Sequence, residues 1–328
     1  MANGESRHDG SRANCLGGRR EFFRQMGAGT LAAACFGGFL SNSGQAAESI
    51  PSDKTAPLPT ISLVGKTITR LLVGSNPIQG ASQPTLHVQR HMNEYYTVEH
   101  IADLFIHCEK VGINTFQGSY SDKVRDGLRL ARERGSKIQW LCLAADTGDD
   151  AALENILALK PFAVVHHGGV TDRLFREGKP DKVHDFIKKI HDKGLAAGVS
   201  SHVPNNVRAV EEKDWGNDFF MTCFYNVVRT KEEMKRDFGG VAVDSLSYWA
   251  GDPDAMTAII RQSRKPCLAF KILAAGRLCW SPDSVEQTFQ YAFRNIKPTD
   301  AVIVGMYPRF EDEPQANAAL TRKYGRTA

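Results

Sequence analysis

The chain lacks a cysteine framework. Seven cysteines occur in 328 residues, and two of them, Cys15 and Cys35, lie in the first 47. The other five (Cys108, Cys142, Cys223, Cys267 and Cys279) are odd in number, widely spaced and mostly set in apolar runs. They read as buried small hydrophobes, which argues against a disulfide scaffold or a zinc knuckle. Past residue 47 no His-x-His or Glu-x-x-His pair is present, so spacing alone names no metal site there. No Gly-x-Gly-x-x-Gly follows the first strand candidate, which argues against an open dinucleotide-binding sheet. There is little excess charge. The first 47 residues hold five Lys/Arg and three Asp/Glu, leaving 36 against 34 and a net charge of +2. That argues against a nucleic-acid surface. A long apolar run is also missing: Met26–Leu40 is too short and too rich in Gly for a membrane span.

What is present begins with that run. Gly18-Arg19-Arg20-Glu21-Phe22-Phe23-Arg24 precedes it, and Gly44-Gln45-Ala46-Ala47 ends it. Adjacent arginines, a moderately apolar stretch and a small-residue cleavage site, in that order, resemble a bacterial twin-arginine export signal. The expectation is a signal over 1–47, engagement of the twin-arginine translocation machinery, and a folded cargo in the periplasm without stable membrane insertion after cleavage. Residues 48–60 are rich in Pro and Ser and read as a linker. The remainder, 61–328, is long enough for one large domain.

Within it, short apolar runs alternate with helical patterns. Eight strands are predicted: Leu71–Gly74, Ile113–Phe116, Ile138–Leu143, Phe162–Val165, Ala196–Val199, Phe219–Phe224, Cys267–Phe270 and Ala301–Val304. They are apolar without strict alternation, as strands covered on both faces are. Thr97 caps a helix with Ile101, Ala102, Phe105 and Cys108 on one face, and Gly112 stops it. Lys182–Lys193, Asp254–Arg264 and Ser284–Asn295 repeat the design. Eight βα units in this length predict a closed (β/α)8 TIM barrel, with a short hairpin over Ile61–Leu72 closing its bottom.

Chemistry in such a barrel sits just past the strand ends. In order, those positions carry Ser75, Asn76 and Gln79; Gln117, Ser119, Tyr120 and Asp122; Asp146 and Asp149; His166 and His167; Ser200, Ser201 and His202; Tyr225 and Asn226; Lys271; Tyr307 and Arg309. Successive strand residues point to opposite sides, so only one of His166 and His167 faces the axis. That one is a candidate general acid, oxyanion donor or metal ligand. His202 ends the next strand, and with Asp146 the histidines form a candidate divalent-metal set. Lys271 is a candidate acid, base or phosphate partner. Ala274-Ala275-Gly276-Arg277 is a small-residue loop ending in a cation, suited to a phosphate.

Gly65–Gly74, Gly112–Gln117, Gly198–Ser201, Phe224–Asn226, Lys271–Leu278 and Val302–Met306 resemble, in order, segments of the aldo/keto reductases. The resemblance spans about residues 62–320. It implies a TIM-barrel oxidoreductase that binds NADP(H) and a small carbonyl or sugar-like substrate. By the same resemblance, Ser200, Ser201, Thr222, Tyr225, Lys271, Leu273, Gly276, Arg277, Gly305 and Met306 hold the cofactor. Gln117, Tyr120, His166, His167 and Lys271 are the catalytic candidates. The departures fall in the catalytic tetrad. Gln117 stands where the family has Asp, Tyr120 comes two positions early, and Leu143-Ala144-Ala145 replaces the Lys that lowers the Tyr pKa. Ser201 and Thr222 stand where the family holds the nicotinamide with Asn and Gln. A metal-assisted isomerase, epimerase or lyase, and a non-catalytic binding barrel, stay open beside the reductase.

Overall fold

A computed structural model of the chain describes residues 56–81, 85–144, 150–240 and 246–326. Met1–Ile50 separates as its own unit and lies outside the described residues, as do the export segment, Asp146 and Asp149.

The second unit opens with a hairpin, β1 (Thr60–Leu63) and β2 (Lys66–Thr69), paired antiparallel. Its turn residues Val64 and Gly65 both take left-handed φ, 45° and 78°, matching the twist of the two strands. The linker read over 48–60 gives way before this point. Leu58 is buried in the core, and Arg322 Nε donates to Ala56 O at 2.6 Å.

Eight parallel strands then close a barrel: β3 (Leu71–Gly74), β4 (Thr115–Ser119), β5 (Gln139–Ala144), β6 (Ala163–His166), β7 (Ala196–Ser201), β8 (Phe219–Cys223), β9 (Cys267–Phe270) and β10 (Ala301–Gly305), with β10 pairing back on β3. Around them run α1 (Leu86–Tyr95), α2 (Val98–Lys110), α3 (Asp122–Glu133), α4 (Asp150–Leu157), α5 (Gly168–Arg176), α6 (Asp181–Asp192), α7 (Pro204–Lys213), α8 (Lys231–Asp237), α9 (Asp252–Gln262), α10 (Pro282–Asn295) and α11 (Glu313–Tyr324). Caps act where the sequence places them: Thr97 accepts from His100 N, and Thr230 with Glu233 forms a complete capping box. Among the described residues no helix is long and apolar enough to cross a membrane.

Two apolar layers follow from strand alternation. Val164, Ala197, Phe220 and Val302 face outward to the helices, while Leu72, Val165, Phe219, Met221 and Ile303 fill the barrel. The hairpin residues Leu63 and Ile68 are fully buried in that inner cluster and plug its lower end. Each such side chain stabilises by about 1.5–3 kcal/mol. Arg70, just past β2, ties the floor together. Its guanidinium donates to the carbonyls of Asp300, Gly325 and Lys297 at 2.7–2.8 Å.

Two expectations shift. The second barrel strand starts at Thr115 and runs to Ser119, not over Ile113–Phe116. Ile113 is apolar because it packs in the outer layer, whereas the polar Gln117, Gly118 and Ser119 pair with Leu141, Cys142 and Leu143. His167-Gly168-Gly169, which reads as a loop, instead begins α5 with His167 at its N-cap.

Candidate active site at the barrel mouth

β6 continues its alternation through the two histidines. Val165 faces in, so His166 faces out. His166 is fully buried. Its Nδ1 lies 2.7 Å from Thr171 Oγ1, and its ring meets Phe186 of α6 edge-on at 4.8 Å. His167 turns to the mouth, and its Nδ1 is buried without a hydrogen bond among the described residues. Burial, then the neighbouring His202 imidazole, holds its imidazole below the usual histidine range; Lys271 acts in the same sense and Asp172 opposes.

His202 stands one strand further on. Its Nδ1 lies 2.8 Å from Asp172 Oδ2, and its backbone N–H donates to the same oxygen at 3.1 Å. The other carboxylate oxygen accepts from Ser201 Oγ at 2.5 Å and Asn206 Nδ2 at 3.0 Å. Asp172 is thus a buried, fully engaged anion on α5. It fixes the Nδ1–H tautomer of His202 and leaves the Nε2 lone pair for the mouth. Gly168 allows this approach. A Cβ there would fall 2.8 Å from Ser200 Oγ and 3.1 Å from the His202 ring. The His202 ring rests edge-on against Phe270 at 5.5 Å.

Lys271 follows Phe270 in a left-handed conformation, φ 58°. Its charge acts on His167 and on Cys223 at the inner end of β8. Burial nevertheless pushes the Cys223 thiol up to about 12, so it is an inert lining group. Tyr225 and Tyr248 close this side with rings 5.2 Å apart. Burial pushes the Tyr248 phenol up to about 12, and its hydroxyl, like Asn226 Oδ1, has no hydrogen bond among the described residues. The Arg277 guanidinium lies 4.0 Å over the Tyr248 ring. Trp249, Trp280 and Phe310 stand exposed on the loops around the opening.

Several candidates lie elsewhere. Tyr120 joins the outer layer, with its hydroxyl 3.5 Å from Arg125 of α3, so it does not reach the histidines. Thr222 shares the outward face of β8 with Phe220 and is fully buried, its hydroxyl without a partner among the described residues. Ser201 holds Asp172, while Ser200 faces inward beside His202. Gln117 is buried in β4, and Met306 is buried with its carbonyl accepting from Tyr96. In the loop after β9, the N–H groups of Ala274, Gly276, Arg277, Leu278 and Cys279 all donate within the loop. Leu273 is half-buried there, while Gly276, Arg277 and, at the end of β10, Gly305 are exposed. No three His, Cys, Asp or Glu side chains converge as a metal-ligand set among the described residues. Asp172, the pivot of the site, is a residue that sequence reasoning missed.

Fold and site together define a TIM barrel with a cationic mouth in which a buried carboxylate orients a histidine. No family model matches the chain, and no curated protein matches it. Among solved structures it is similar to a glycerol dehydrogenase from Gluconobacter oxydans, at 11% identity over 85% of this chain and 92% of that one, with a TM-score of 0.48. It is similar also to a dihydropteroate synthase from Xanthomonas albilineans, at 12% identity over 81% and 96%, with a TM-score of 0.43. A lactate oxidase from Pediococcus acidilactici matches at 11% identity over 85% and 74%, with a TM-score of 0.42. These likenesses carry no statement about chemistry.

Proposed function

We propose that this barrel is an enzyme of general acid–base chemistry, moving protons on a small polar substrate whose acidic C–H adjoins a carbonyl. One observation carries the reading: Asp172 holds His202 by Nδ1 at 2.8 Å, which leaves Nε2 as a base at the mouth. His167, kept neutral by burial, stands within its electrostatic reach as the second proton-transfer group. Lys271 and Arg277 make the opening attractive to an anionic or carbonyl oxygen. Isomerases, epimerases and lyases use such steps. The test is deuterium exchange. The full chain, incubated in D2O with pyruvate, dihydroxyacetone or glyceraldehyde, should exchange the hydrogen next to the carbonyl, and His202→Gln should not. Absence of exchange with all three in the wild type counts against the reading.

A nicotinamide-dependent oxidoreductase is the second reading. The left-handed backbone at Lys271, Ala274 and Ala275, with open space at Gly276 beside the exposed Arg277, favours it. The internally bonded N–H groups, the outward Thr222 and the distant Tyr120 fit an NADP(H) site poorly. Fluorescence titration with NADPH decides whether the cofactor binds.

We further propose that residues 1–47 send the folded chain through the twin-arginine machinery to the periplasm, on the strength of Arg19-Arg20-Glu21-Phe22-Phe23 and the small residues at Ala46-Ala47.

A further inference from the structure

α5 begins at the barrel mouth with its first turn open. His167 alone separates the end of β6 from Gly168, the first helical residue, and its side chain makes no capping hydrogen bond. The N–H groups of Val170 and Thr171 both turn back to His167 O at 2.9 Å, while those of Gly168 and Gly169 have no acceptor among the described residues. Two open donors at the positive end of a helix favour negative charge in front of them. Many helices begin that way, so the weight falls on what faces this one.

Ser200 faces it. Val199 packs in the outer layer, and Met221, the ladder partner of Ser200, fills the barrel, so Ser200 points to the axis. It is 1% exposed, and its hydroxyl has no hydrogen bond among the described residues. The next residue shows the usual arrangement, with Ser201 Oγ donating to Asp172 at 2.5 Å. A buried hydroxyl without a partner is a cost that native structures seldom keep without a use. Ser200 Oγ lies 2.8 Å from the point where a β-carbon on Gly168 would stand, and His202 Cε1 lies 3.1 Å from the same point. His202 Nε2 is bonded to that carbon. Helix end, unpartnered hydroxyl and imidazole thus meet at one spot, and only glycine lets them meet.

We propose that the Gly168 and Gly169 N–H groups and the Ser200 hydroxyl receive the carbonyl oxygen of the substrate and hold it as it becomes an enolate. The inference rests on the acid–base reading above and makes Ser200 a catalytic residue of that site. His202 Nε2 takes the proton from the carbon beside the carbonyl. The C–H pair becomes a carbon–carbon double bond, the carbonyl pair moves to oxygen, and the negative charge comes to rest on the oxygen facing the three donors. Return of the proton from His202 to carbon reverses the step, and no oxidant or reductant takes part. Donors fixed at that oxygen in advance need no rearrangement when the charge appears. Asp172 does not compete for them, because its oxygens accept from Ser201, His202 and Asn206.

Planar enolate analogues test the proposal: oxalate for pyruvate, and glycolohydroxamate for dihydroxyacetone. Calorimetry on the full chain should detect binding of at least one. Ser200→Ala and Gly169→Pro should each weaken it about tenfold or more, the scale for a hydrogen bond to a charged group. Proline at the second helical position removes one N–H and no intrahelical bond. If that variant does not fold, Ser200→Ala carries the test, and its melting temperature should not fall, since the hydroxyl has no partner to lose. Deuterium exchange should drop about 10²-fold in the same variants. The proposal is overturned if the wild type binds neither analogue, if Ser200→Ala binds them as well as wild type, or if sulfate displaces them at equal concentration, which marks a general anion site. Undiminished exchange in Ser200→Ala also overturns it and leaves His202 as the base. Loss of analogue binding in the variants, with no exchange by the wild type on any of the three carbonyl compounds, supports the oxygen seat and removes the acid–base reading.

Discussion

Asp172 and His202, thirty residues apart, meet through Oδ2 and Nδ1 at 2.8 Å with the carboxylate buried and fully engaged. The pair unites two elements, α5 and the end of β7, that share nothing in sequence. Replacing Asp172 with Ala strands the Ser201, His202 and Asn206 groups that donate to it. We expect a loss of about 3 kcal/mol in urea unfolding, the scale for orphaned buried partners of a charge. Asp172→Asn keeps the shape and should cost less stability, yet lower proton transfer by about 10²-fold or more by releasing the His202 tautomer.

The two neighbouring histidines should behave oppositely. His166→Ala removes the bond to Thr171 and the contact with Phe186, so it should cost about 3 kcal/mol of stability. His167→Ala should leave the melting temperature nearly unchanged and lower turnover. Equal effects on both measurements would contradict the opposite facing of the two rings.

Stability should also depend on pH through His167. Its folded pKa lies below its unfolded value of about 6.5, so the unfolded chain binds the proton more readily. Stability from this group is unaffected above pH 6.5 and falls as pH drops from there through the depressed folded value. Urea midpoints of wild type and His167→Gln should coincide at pH 8 and diverge below pH 6.5, with the variant losing less.

Thr222 separates the cofactor reading from the packing reading. Its hydroxyl is buried without a partner among the described residues. Thr222→Val should therefore be neutral or stabilising by up to about 1 kcal/mol, and NADPH affinity, if titration detects any, should not change. Arg277→Ala should instead weaken any such binding by about 1–3 kcal/mol.

For export, replacing Arg19 and Arg20 together by Lys should leave the precursor in the cytoplasm. Fractionation followed by immunoblotting reads this directly, and export equal to wild type would remove the twin-arginine reading.

Leu71–Gly74 and Cys267–Phe270 are legible in the sequence to the residue, because each is a short apolar run bounded by polar residues or, before Cys267, by Pro266. The hairpin floor is legible for a similar reason, as Val64-Gly65 separates two short alternating segments. The upper strand ends are less so. Gln117, His166 and Ser201 are polar yet lie in the ladder, because a neighbouring strand pairs with them. Asp172 is the least legible. Gly168-Gly169 carries a turn signal, but here the small residue lets the helix start against Ser200 and His202. The meeting of an α5 carboxylate with the end of β7 is set by the winding of the barrel, and no local spacing encodes it.

The β1–β2 plug has a kinetic meaning. With Leu63 and Ile68 sealing the lower end, the described residues leave the upper end, near the exposed Trp249 and Phe310, as the way in and out. Departure of one guest and arrival of the next are therefore mutually exclusive. A spent molecule should inhibit competitively against a fresh one, and crowding at the threshold should slow the cycle as much as the chemistry within.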